Sequence, residues 1–425
     1  MSYGGHQLEI KTIGGLLMGY ELITAVGIDV SKNKSMIAAC RPGGEVLLEP
    51  FEIHHTSEGL NYLIKKLSCI DGEVRVVMEH TGMYWRPIAV ALKNAGFFVS
   101  VINAMLIHHF SNNSLRKVKT DKADSLKIAN YALSYWSSLQ ELSGEDETRQ
   151  MLKFQNRLYE RVQSTSVALR NGLISLVDQT FPGANNFFGA EIRNNCGHVK
   201  WVDFVKRFWH KDCVVSQSIN NFSESYRKWC NRNNYQFRKT TAEKIYMTAK
   251  NSVATFPKNE STKILITQAV DSLNAVYDSL HIIRSEMLRL SSLLPEFDVV
   301  MAMKGAGNIT GPQLMAEIGD VRRFKSKNSL VAFAGMDAPP YQSGNFESKS
   351  RRVSKRGTPH LRKTLFLVCQ AILQSVDFEN PVFCFMDKKR AEGKHYYVYM
   401  VAGSAKFLRI YYAKVIEHLK NIDNN

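Results

Sequence analysis

The sequence predicts an α/β domain with a mixed sheet in its first third, followed by a mainly helical remainder. In residues 22–140, short runs rich in β-branched residues alternate with amphipathic helical segments. From Ile266 onward, apolar residues instead recur at alternating spacings of three and four over four heptads. This change of period separates a sheet-based domain from a helical one.

The order of the elements in the α/β domain predicts its topology. Strands are predicted at 26–29, 35–40, 46–53, 74–78 and 97–102, and helices at 57–67, 84–94, 104–112 and 121–138. The turn Pro42-Gly43-Gly44 separates the second strand from the third. Three antiparallel strands followed by βαβα is the order of the ribonuclease H-like fold. We therefore predict that fold for residues 21–140, after a loose extension at 1–20.

Four carboxylates fall at the ends of elements in this domain. Asp29 and Glu79 each follow a short apolar strand, at the edge where open α/β sheets place their ligands. Asp121 and Asp124 lie three residues apart at the start of a helix and share one of its faces. Convergence would create an acidic pocket, whose oxygen ligands suit Mg²⁺ or Mn²⁺. The alternative is that each acid is a helix cap or a solvated surface charge.

Residues 141–295 predict two long helices around an insertion at about 181–258. The apolar face of the first helix comprises Leu158, Val162, Leu169, Leu173 and Leu176. The face of the second comprises Ile266, Ala269, Leu273, Val276, Leu280, Ile283, Met287, Leu290 and Leu294. This pattern favours a coiled coil, either between these helices or between protomers, with an ordinary core helix pair as the alternative. The insertion mixes aromatic residues with Lys and Arg, which would suit base stacking or a small helical core with a basic face.

Residues 296–425 predict a mainly helical domain with a glycine-rich element at its start. Residues 303–312 are typical of a helix-hairpin-helix turn, in which backbone amides approach a phosphate. No strand precedes this stretch and the Lys-Ser/Thr ending of a P-loop is absent, so no nucleotide cofactor is predicted.

The densest positive charge follows, between Val321 and Lys363, where eleven Lys and Arg accompany only two acids. Such residues would neutralise phosphates. The candidate nucleic-acid ligands are Lys304, Lys349, Arg351, Arg352, Lys355, Arg356, Arg362 and Lys363. Ser343, after two prolines and before a glycine, is a candidate nucleophile on an exposed turn. Most Ser-Gly pairs are simply turns, however, and other serines lie nearby.

Bulk properties restrict the class of partner and the setting. The formal net charge of +16 favours a polyanionic partner, and no apolar run reaches the length of a membrane span. The seven cysteines are scattered and lack zinc-ligand spacing. We expect a reduced, cytoplasmic setting.

These motifs together resemble the IS110/IS1111 family of transposases, whose motifs are shared by Piv-type DNA invertases. The resemblance is carried by GIDVSKNK, MEHTGMYW, KTDKADSLKIA, MKGAGNITGPQLMAEIGD, FKSKNSLVAFAGM and SKRGTPHLRKTL. It covers the first domain and residues from about 295 to the end. It implies a RuvC-like domain with a metal-binding tetrad, a coiled-coil dimerisation segment and a transposase domain with a nucleophilic serine. The matching residues are Asp29, Glu79, Asp121, Asp124 and Ser343.

The resemblance also implies an activity: a DNA recombinase of a mobile element, acting as a dimer or tetramer. In several family members a non-coding RNA pairs with donor and target DNA, so a guide RNA is an expected partner. Two readings stay open beside it, a RuvC-like nuclease that uses metal-activated water and a non-catalytic nucleic-acid-binding protein. The insertion departs from the family pattern, and Ser348, Ser350 and Ser354 compete with Ser343 for the role of nucleophile.

Overall fold

The computed structural model describes residues 23–80, 82–102, 104–111, 120–142, 147–189, 197–338, 342–343, 346–347 and 352–424. The chain divides into two compact units, Met1–Gly144 and Glu145–Asn425. Each unit has its own core, and each is described separately below.

A five-stranded mixed sheet in the order β3-β2-β1-β4-β5 forms the first unit. Strands β1 to β3 pair antiparallel, and β4 and β5 run parallel to β1. The strands are β1 Ile23–Val30, β2 Lys34–Cys40, β3 Val46–His54, β4 Glu73–Glu79 and β5 Phe98–Ile102. The helices are α1 Ser57–Ser68, α2 Trp85–Asn94, α3 Ala104–Ser111 and α4 Asp121–Ser134. This order and register confirm the predicted ribonuclease H-like, RuvC-like fold.

The two faces of the sheet are covered by different helices. Val26 and Ile28 of β1 pack with α1 and α2, whereas Ala25 packs with α3 and α4. Because side chains alternate between the faces of a strand, Gly27 and Asp29 share the face of Ala25. The α4 side of the sheet is therefore the side on which the first candidate carboxylate lies.

The second unit is built on two long helices, α5 Glu147–Thr180 and α10 Glu260–Ser292, which pack along each other. The predicted apolar stripe is buried on α10 at Ile266, Leu273, Leu280, Ile283, Met287 and Leu290, and just after the helix at Leu294. On α5 the prediction is wrong for Leu158, which is 45% exposed. The buried face there includes Leu152, Asn156 and Tyr159 instead, because α5 also packs against a later helix that binds Asn156 through polar groups.

The insertion forms a small aromatic core. Its helices are α6 Lys200–Arg207, α7 Asp212–Val215, α8 Ile219–Arg232 and α9 Lys239–Asn251. Most aromatic rings of the insertion are buried: Trp201, Phe204, Phe208, Phe222, Tyr226, Trp229 and Tyr235. They pack on one another and on α5 and α10, so they are not available to stack on bases. The small helical core is the correct reading for these rings.

The remaining elements enclose a second core with the ends of α5 and α10. They are α11 Phe297–Met301, α12 Thr310–Ile318, α13 Lys327–Phe333, β6 Gln342–Ser343, β7 Phe346–Glu347, α14 Pro359–Ser375, α15 Pro381–Ala391 and α16 Tyr396–Asp423. In the glycine-rich turn between α11 and α12, a Cβ on Gly305 would lie 2.8 Å from the Val368 carbonyl oxygen. Packing against α14 thus accounts for this glycine. None of the helices in the described parts of the chain has the length and apolar character to cross a membrane.

Candidate active site

Asp29 and Glu79 lie at the ends of two neighbouring parallel strands. The register of β1 and β4 pairs Gly27 with Val77 and Ile28 with Met78, so the next residue of each strand is an acid. Both side chains are partly buried. The two carboxylates therefore occupy the same edge of the sheet, as the sequence predicted.

Gly27 determines how closely α4 approaches this edge. A Cβ at that position would lie 2.1 Å from the Ser125 carbonyl oxygen and 2.4 Å from the Ala129 nitrogen of α4. Any side chain would therefore push the helix away from the strand. The absence of a side chain lets the first turn of α4 lie over the strand end that carries Asp29.

The first turn of α4 supplies Asp121 and Asp124. Thr120 is the cap of this helix, because its hydroxyl accepts a hydrogen bond from the Ala123 amide at 3.2 Å. Because Thr120 is the cap, the interpretation of Asp121 as a helix cap is wrong. Asp124 accepts a hydrogen bond from the Lys127 ammonium at 2.7 Å, and Asp121 is exposed.

The other three carboxylates act electrostatically on Asp29. Burial, as the largest cause, and the negative charges of Asp121, Asp124 and Glu79 together raise the pKa of Asp29 to about 6. A raised pKa means that the surroundings compensate the negative charge of the ionised carboxylate poorly. At neutral pH the carboxylate of Asp29 carries this charge. A cation among these four acids would relieve that repulsion.

The donor set suits a hard divalent cation, but it is not preassembled. In the part of the chain that the structure describes, no three His, Cys, Asp or Glu side chains are close enough together to hold a metal ion. The Lys127 ammonium also occupies one oxygen of Asp124. Carboxylate oxygens are the ligands that Mg²⁺ prefers, so the donor types fit such an ion. Binding it would require the carboxylate side chains to move together and the Lys127 ammonium to leave Asp124.

Ser343 lies in a short β-hairpin. Strand β6 pairs antiparallel with β7, with Ser343 opposite Phe346 and Gln342 opposite Glu347. Ser343 is thus the last strand residue before the connection at 344–345. The backbone position agrees with a turn-proximal serine, while the side chains of this hairpin lie outside the described residues.

Two glycines hold the base of this hairpin. A Cβ on Gly357 would lie 2.0 Å from the Phe333 carbonyl oxygen and 2.4 Å from the Gly335 nitrogen. Gly335 has φ +64°, and a Cβ there would meet the Gly357 nitrogen at 2.6 Å. The chain entering the hairpin and the chain leaving it therefore cross in direct backbone contact. We call residues 335–338 and 352–357 the hairpin stem.

Among the competing serines, Ser354 has a structural role. Its hydroxyl donates a hydrogen bond to the Asp337 carboxylate, and its amide donates to the Asp337 carbonyl oxygen at 2.9 Å. These bonds join the two sides of the stem. Ser348 and Ser350 lie outside the described residues.

The predicted basic ligands fall into groups with different surroundings. Arg352, Lys355 and Arg356 are exposed on the stem, and Lys349 and Arg351 lie outside the described residues. Arg362 has a structural role, since its guanidinium donates hydrogen bonds to the carbonyl oxygens of Ala334 and Gly357 at 3.2 and 2.8 Å. The ammonium of Lys304 pairs with Asp377 at 3.3 Å, far along the chain from the stem.

A polar cluster on α5 and α14 was not predicted. Buried Glu160 contacts the His360 ring, and the Lys363 ammonium lies 4.0 Å from the other Glu160 oxygen. Nearby, buried Glu317 accepts hydrogen bonds from Arg157 at 2.9 Å and from Thr358 at 3.2 Å. The only signal for this cluster in the sequence is the interruption of the apolar stripe of α5 by polar residues.

A ribonuclease H-like sheet with carboxylates grouped at its strand ends defines a class of enzymes that process nucleic acids. Residues 26–182 match the family model of IS110-type DEDD transposases, described as transposase. Residues 298–381 match the model described as transposase of the IS116/IS110/IS902 family. The chain belongs to the IS110 family of transposases and is a DNA-acting recombination enzyme with a RuvC-like domain.

Individual relatives are more distant. The chain is 21% identical over 404 residues to the pilin gene-inverting protein of Moraxella lacunata, covering 92% of this chain and 95% of the relative. The corresponding protein of Moraxella bovis is 20% identical with the same coverage. Among solved structures, T. thermophilus RuvC in complex with a Holliday junction substrate is 13% identical, with a TM-score of 0.24 and coverage of 28% of this chain and 99% of RuvC. The fold assignment rests on the strand order and register given above.

Proposed function

We propose that this transposase cleaves and rejoins DNA strands with Asp29, Glu79, Asp121 and Asp124 as ligands of Mg²⁺ or Mn²⁺ and Ser343 as the covalent nucleophile. The observation that supports the metal half most directly is that Asp29 and Glu79 lie at the ends of neighbouring parallel strands. Burial first, and then the negative charges of Asp121, Asp124 and Glu79, raise the pKa of Asp29. The serine half is supported by the position of Ser343 at the turn end of a hairpin with a basic stem.

The proposed covalent step conserves the energy of the phosphodiester bond. The Ser343 hydroxyl loses its proton to solvent or a nearby base and attacks the phosphorus, so that a phosphoserine bond forms. The bond from phosphorus to one deoxyribose oxygen breaks, and that oxygen leaves as a protonated hydroxyl. A hydroxyl of a second strand reverses the step, releases the serine and completes the exchange without ATP. When bound, the divalent ion supplies charge neutralisation at the phosphate.

Exposed cations of the stem would hold the phosphates beside the one attacked. Arg352, Lys355 and Arg356 are exposed beside the hairpin and suit this role. Because strand exchange needs several strands at once, we propose a homodimer or tetramer in which one protomer supplies the acids and another supplies Ser343. A structured guide RNA would select DNA by base pairing, while the protein binds backbone and shape. The reaction would take place on DNA in the cytoplasm.

The test is to trap a protein–DNA adduct on a nicked substrate made from the DNA that flanks the gene, with the adjacent transcript supplied as RNA. We expect a Mg²⁺-dependent adduct that survives denaturing electrophoresis. Ser343→Ala should abolish the adduct, Asp29→Asn should abolish it as well, and Ser354→Ala should retain it. Ser354→Ala is the matched control. It shows whether the adduct is lost because the nucleophile is missing or because any hydroxyl in this basic segment has been removed.

A metal-dependent nuclease without a serine intermediate is the second candidate. The observation that favours it is that all four carboxylates belong to the first unit, so the metal half does not need Ser343. Cleavage by Ser343→Ala at the wild-type rate, with no adduct in the wild type, would support this nuclease and overturn the recombinase mechanism.

A further inference from the structure

An open groove of about 950 Å³ lies in the second unit beside the hairpin stem. Asp337, Ala338, Val353 and Lys355 line it, and they are stem residues that lead into and out of the hairpin. The groove therefore begins where the segment that carries Ser343 emerges from the core. A ligand in the groove would therefore contact the stem of the segment that carries Ser343.

The floor and one wall of the groove are apolar and aromatic. Phe366 and Val401 form part of the floor, and Tyr397 and Val398 form a wall at the start of α16. Tyr397 is 62% exposed and Val398 is 53% exposed. Large exposed apolar side chains grouped in a concavity are typical of a binding site.

The Tyr397 ring is held in place on one side. It stacks on the His395 ring with centroids 5.6 Å apart and planes inclined by 28°, and the Phe366 centroid lies 6.3 Å away. The amide of Tyr397 also donates a hydrogen bond to His395 Nδ1 at 3.4 Å, at the first turn of α16. An aromatic face that is positioned in advance loses little conformational entropy when a flat ligand stacks on it.

Cations surround this apolar surface. Lys355, Lys363 and Arg409 line the groove, and all three are exposed. Lys355 has φ +52°, in the left-handed region that is costly for a residue with a Cβ, and its amide bonds to the Gly335 carbonyl oxygen at 3.2 Å. The stem thus holds a lysine in a strained conformation at the groove.

We propose that this groove binds an unpaired DNA nucleotide next to the phosphate attacked by Ser343, with its base on Tyr397 and its phosphates near Lys355, Lys363 and Arg409. The inference rests on the proposed function. Aromatic faces beside cations match a nucleotide, which joins a flat base to a charged backbone. The bases of a duplex are stacked on each other, so only an unpaired base can offer its face. Exchange of strands requires such unpairing at the crossover.

The test measures binding of the full-length chain to a fluorescent single-stranded oligothymidylate of about 12 nucleotides, within the usual site size of single-strand binders. Tyr397→Ala should weaken binding about tenfold, the amount expected for one lost base stack. Tyr397→Phe should retain wild-type affinity because it keeps the ring. Tyr62→Ala is the control, since this tyrosine is exposed in the first unit and does not line the groove, and it should bind as the wild type does.

An abasic strand of the same length tests whether the ring contacts a base. Tyr397→Ala and wild type should bind the abasic strand equally. Lys355→Ala with Arg409→Ala should weaken both strands and lower the salt dependence of binding. Equal losses on the two strands for Tyr397→Ala, no loss on either, or tighter binding of oligouridylate than of oligothymidylate would overturn the proposal.

Failure of this inference can be distinguished from failure of the proposed function. The binding assay involves no cleavage, so its outcome does not depend on which residue is the nucleophile. An adduct that persists in Ser343→Ala would refute the serine mechanism while the binding results stand. An adduct that depends on Ser343, together with unaltered binding by Tyr397→Ala, would refute only the groove.

Discussion

Both units contain a close crossing of two backbone segments that only glycine permits. The structural settings of the two crossings differ. In the first unit Gly27 lets α4 lie on β1, inside a sheet covered on both faces. In the second unit Gly335 and Gly357 let two loop segments cross at the base of a two-residue-stranded hairpin. The carboxylates are thus fixed by regular structure, whereas Ser343 is carried by a short hairpin on a narrow stem.

This difference suggests a division of roles between the units. Carboxylates that share an ion must start from backbone positions that allow them to converge, and regular structure sets those positions. Ser343 instead lies on a hairpin between helices α13 and α14. Substitutions at the two crossings should therefore have different consequences.

The largest effect is expected for Gly27→Ala. The added Cβ would meet two backbone atoms of α4 within 2.4 Å, so the helix would have to move from the sheet. We expect a loss of more than about 3 kcal/mol in the stability of the first unit, together with loss of adduct formation. Thermal unfolding checks the first result. Gly172→Ala is the control, since nothing lies within 4 Å of its Cβ position on the exposed face of α5, and it should not destabilise the protein.

A more local effect is expected for Gly357→Ala. Its Cβ would clash with the Phe333 carbonyl oxygen at 2.0 Å, which should open the stem while the core around α14 and α16 stays packed. Adduct formation should fall at least 100-fold, and far-UV circular dichroism should stay close to that of the wild type. If Gly357→Ala instead destabilised the whole protein as much as is expected for Gly27→Ala, the proposed difference between the two crossings would be wrong.

An opposite effect on stability is expected for Asp29→Asn. The pKa of Asp29 is raised to about 6 in the folded chain, so the folded state holds a proton that the unfolded state releases at a lower pH. Stability of the metal-free protein should therefore fall as the pH rises from about 4 to about 6. At neutral pH the substitution should stabilise the metal-free protein by about 2 kcal/mol while abolishing cleavage. Asp71→Asn, at an exposed acid, should leave the melting temperature unchanged.

The smallest effect is expected for Ser354→Ala. The substitution removes the hydroxyl bond to Asp337 in the stem, which should cost about 1 kcal/mol. Adduct formation should fall by less than tenfold, because the amide bond of Ser354 to Asp337 remains. Quantitative adduct yield checks this, and a yield as low as that of Ser343→Ala would contradict the purely structural role of the Ser354 hydroxyl.

Much of the first unit was predictable because its signals are local. The strand predicted at 74–78 is Glu73–Glu79, and the helix predicted at 84–94 is Trp85–Asn94. Polar residues that follow buried strands then place Asp29 and Glu79 at one edge, since parallel neighbours end together. The role of Gly27 was not predictable, because it depends on which helix crosses the strand.

Less of the second unit was predictable because its contacts are long-range. Leu158 fits the apolar period of α5 but is exposed, since Asn156 faces Glu317 across 161 positions. The contact of Glu160 with His360 spans 200 positions, and no local pattern links two such residues. The aromatic rings of the insertion have the composition of a stacking surface, and only the packing shows that they form a core.

The central claim is that the four carboxylates and Ser343 act on the same DNA phosphate. Its most direct test is to isolate the trapped adduct, digest the protein and identify by mass spectrometry the residue that carries the nucleotide. The account predicts a nucleotide on Ser343 that forms only with a divalent metal and with Asp29 intact. A nucleotide on another residue, or a Ser343 adduct that forms equally well in Asp29→Asn, would contradict it.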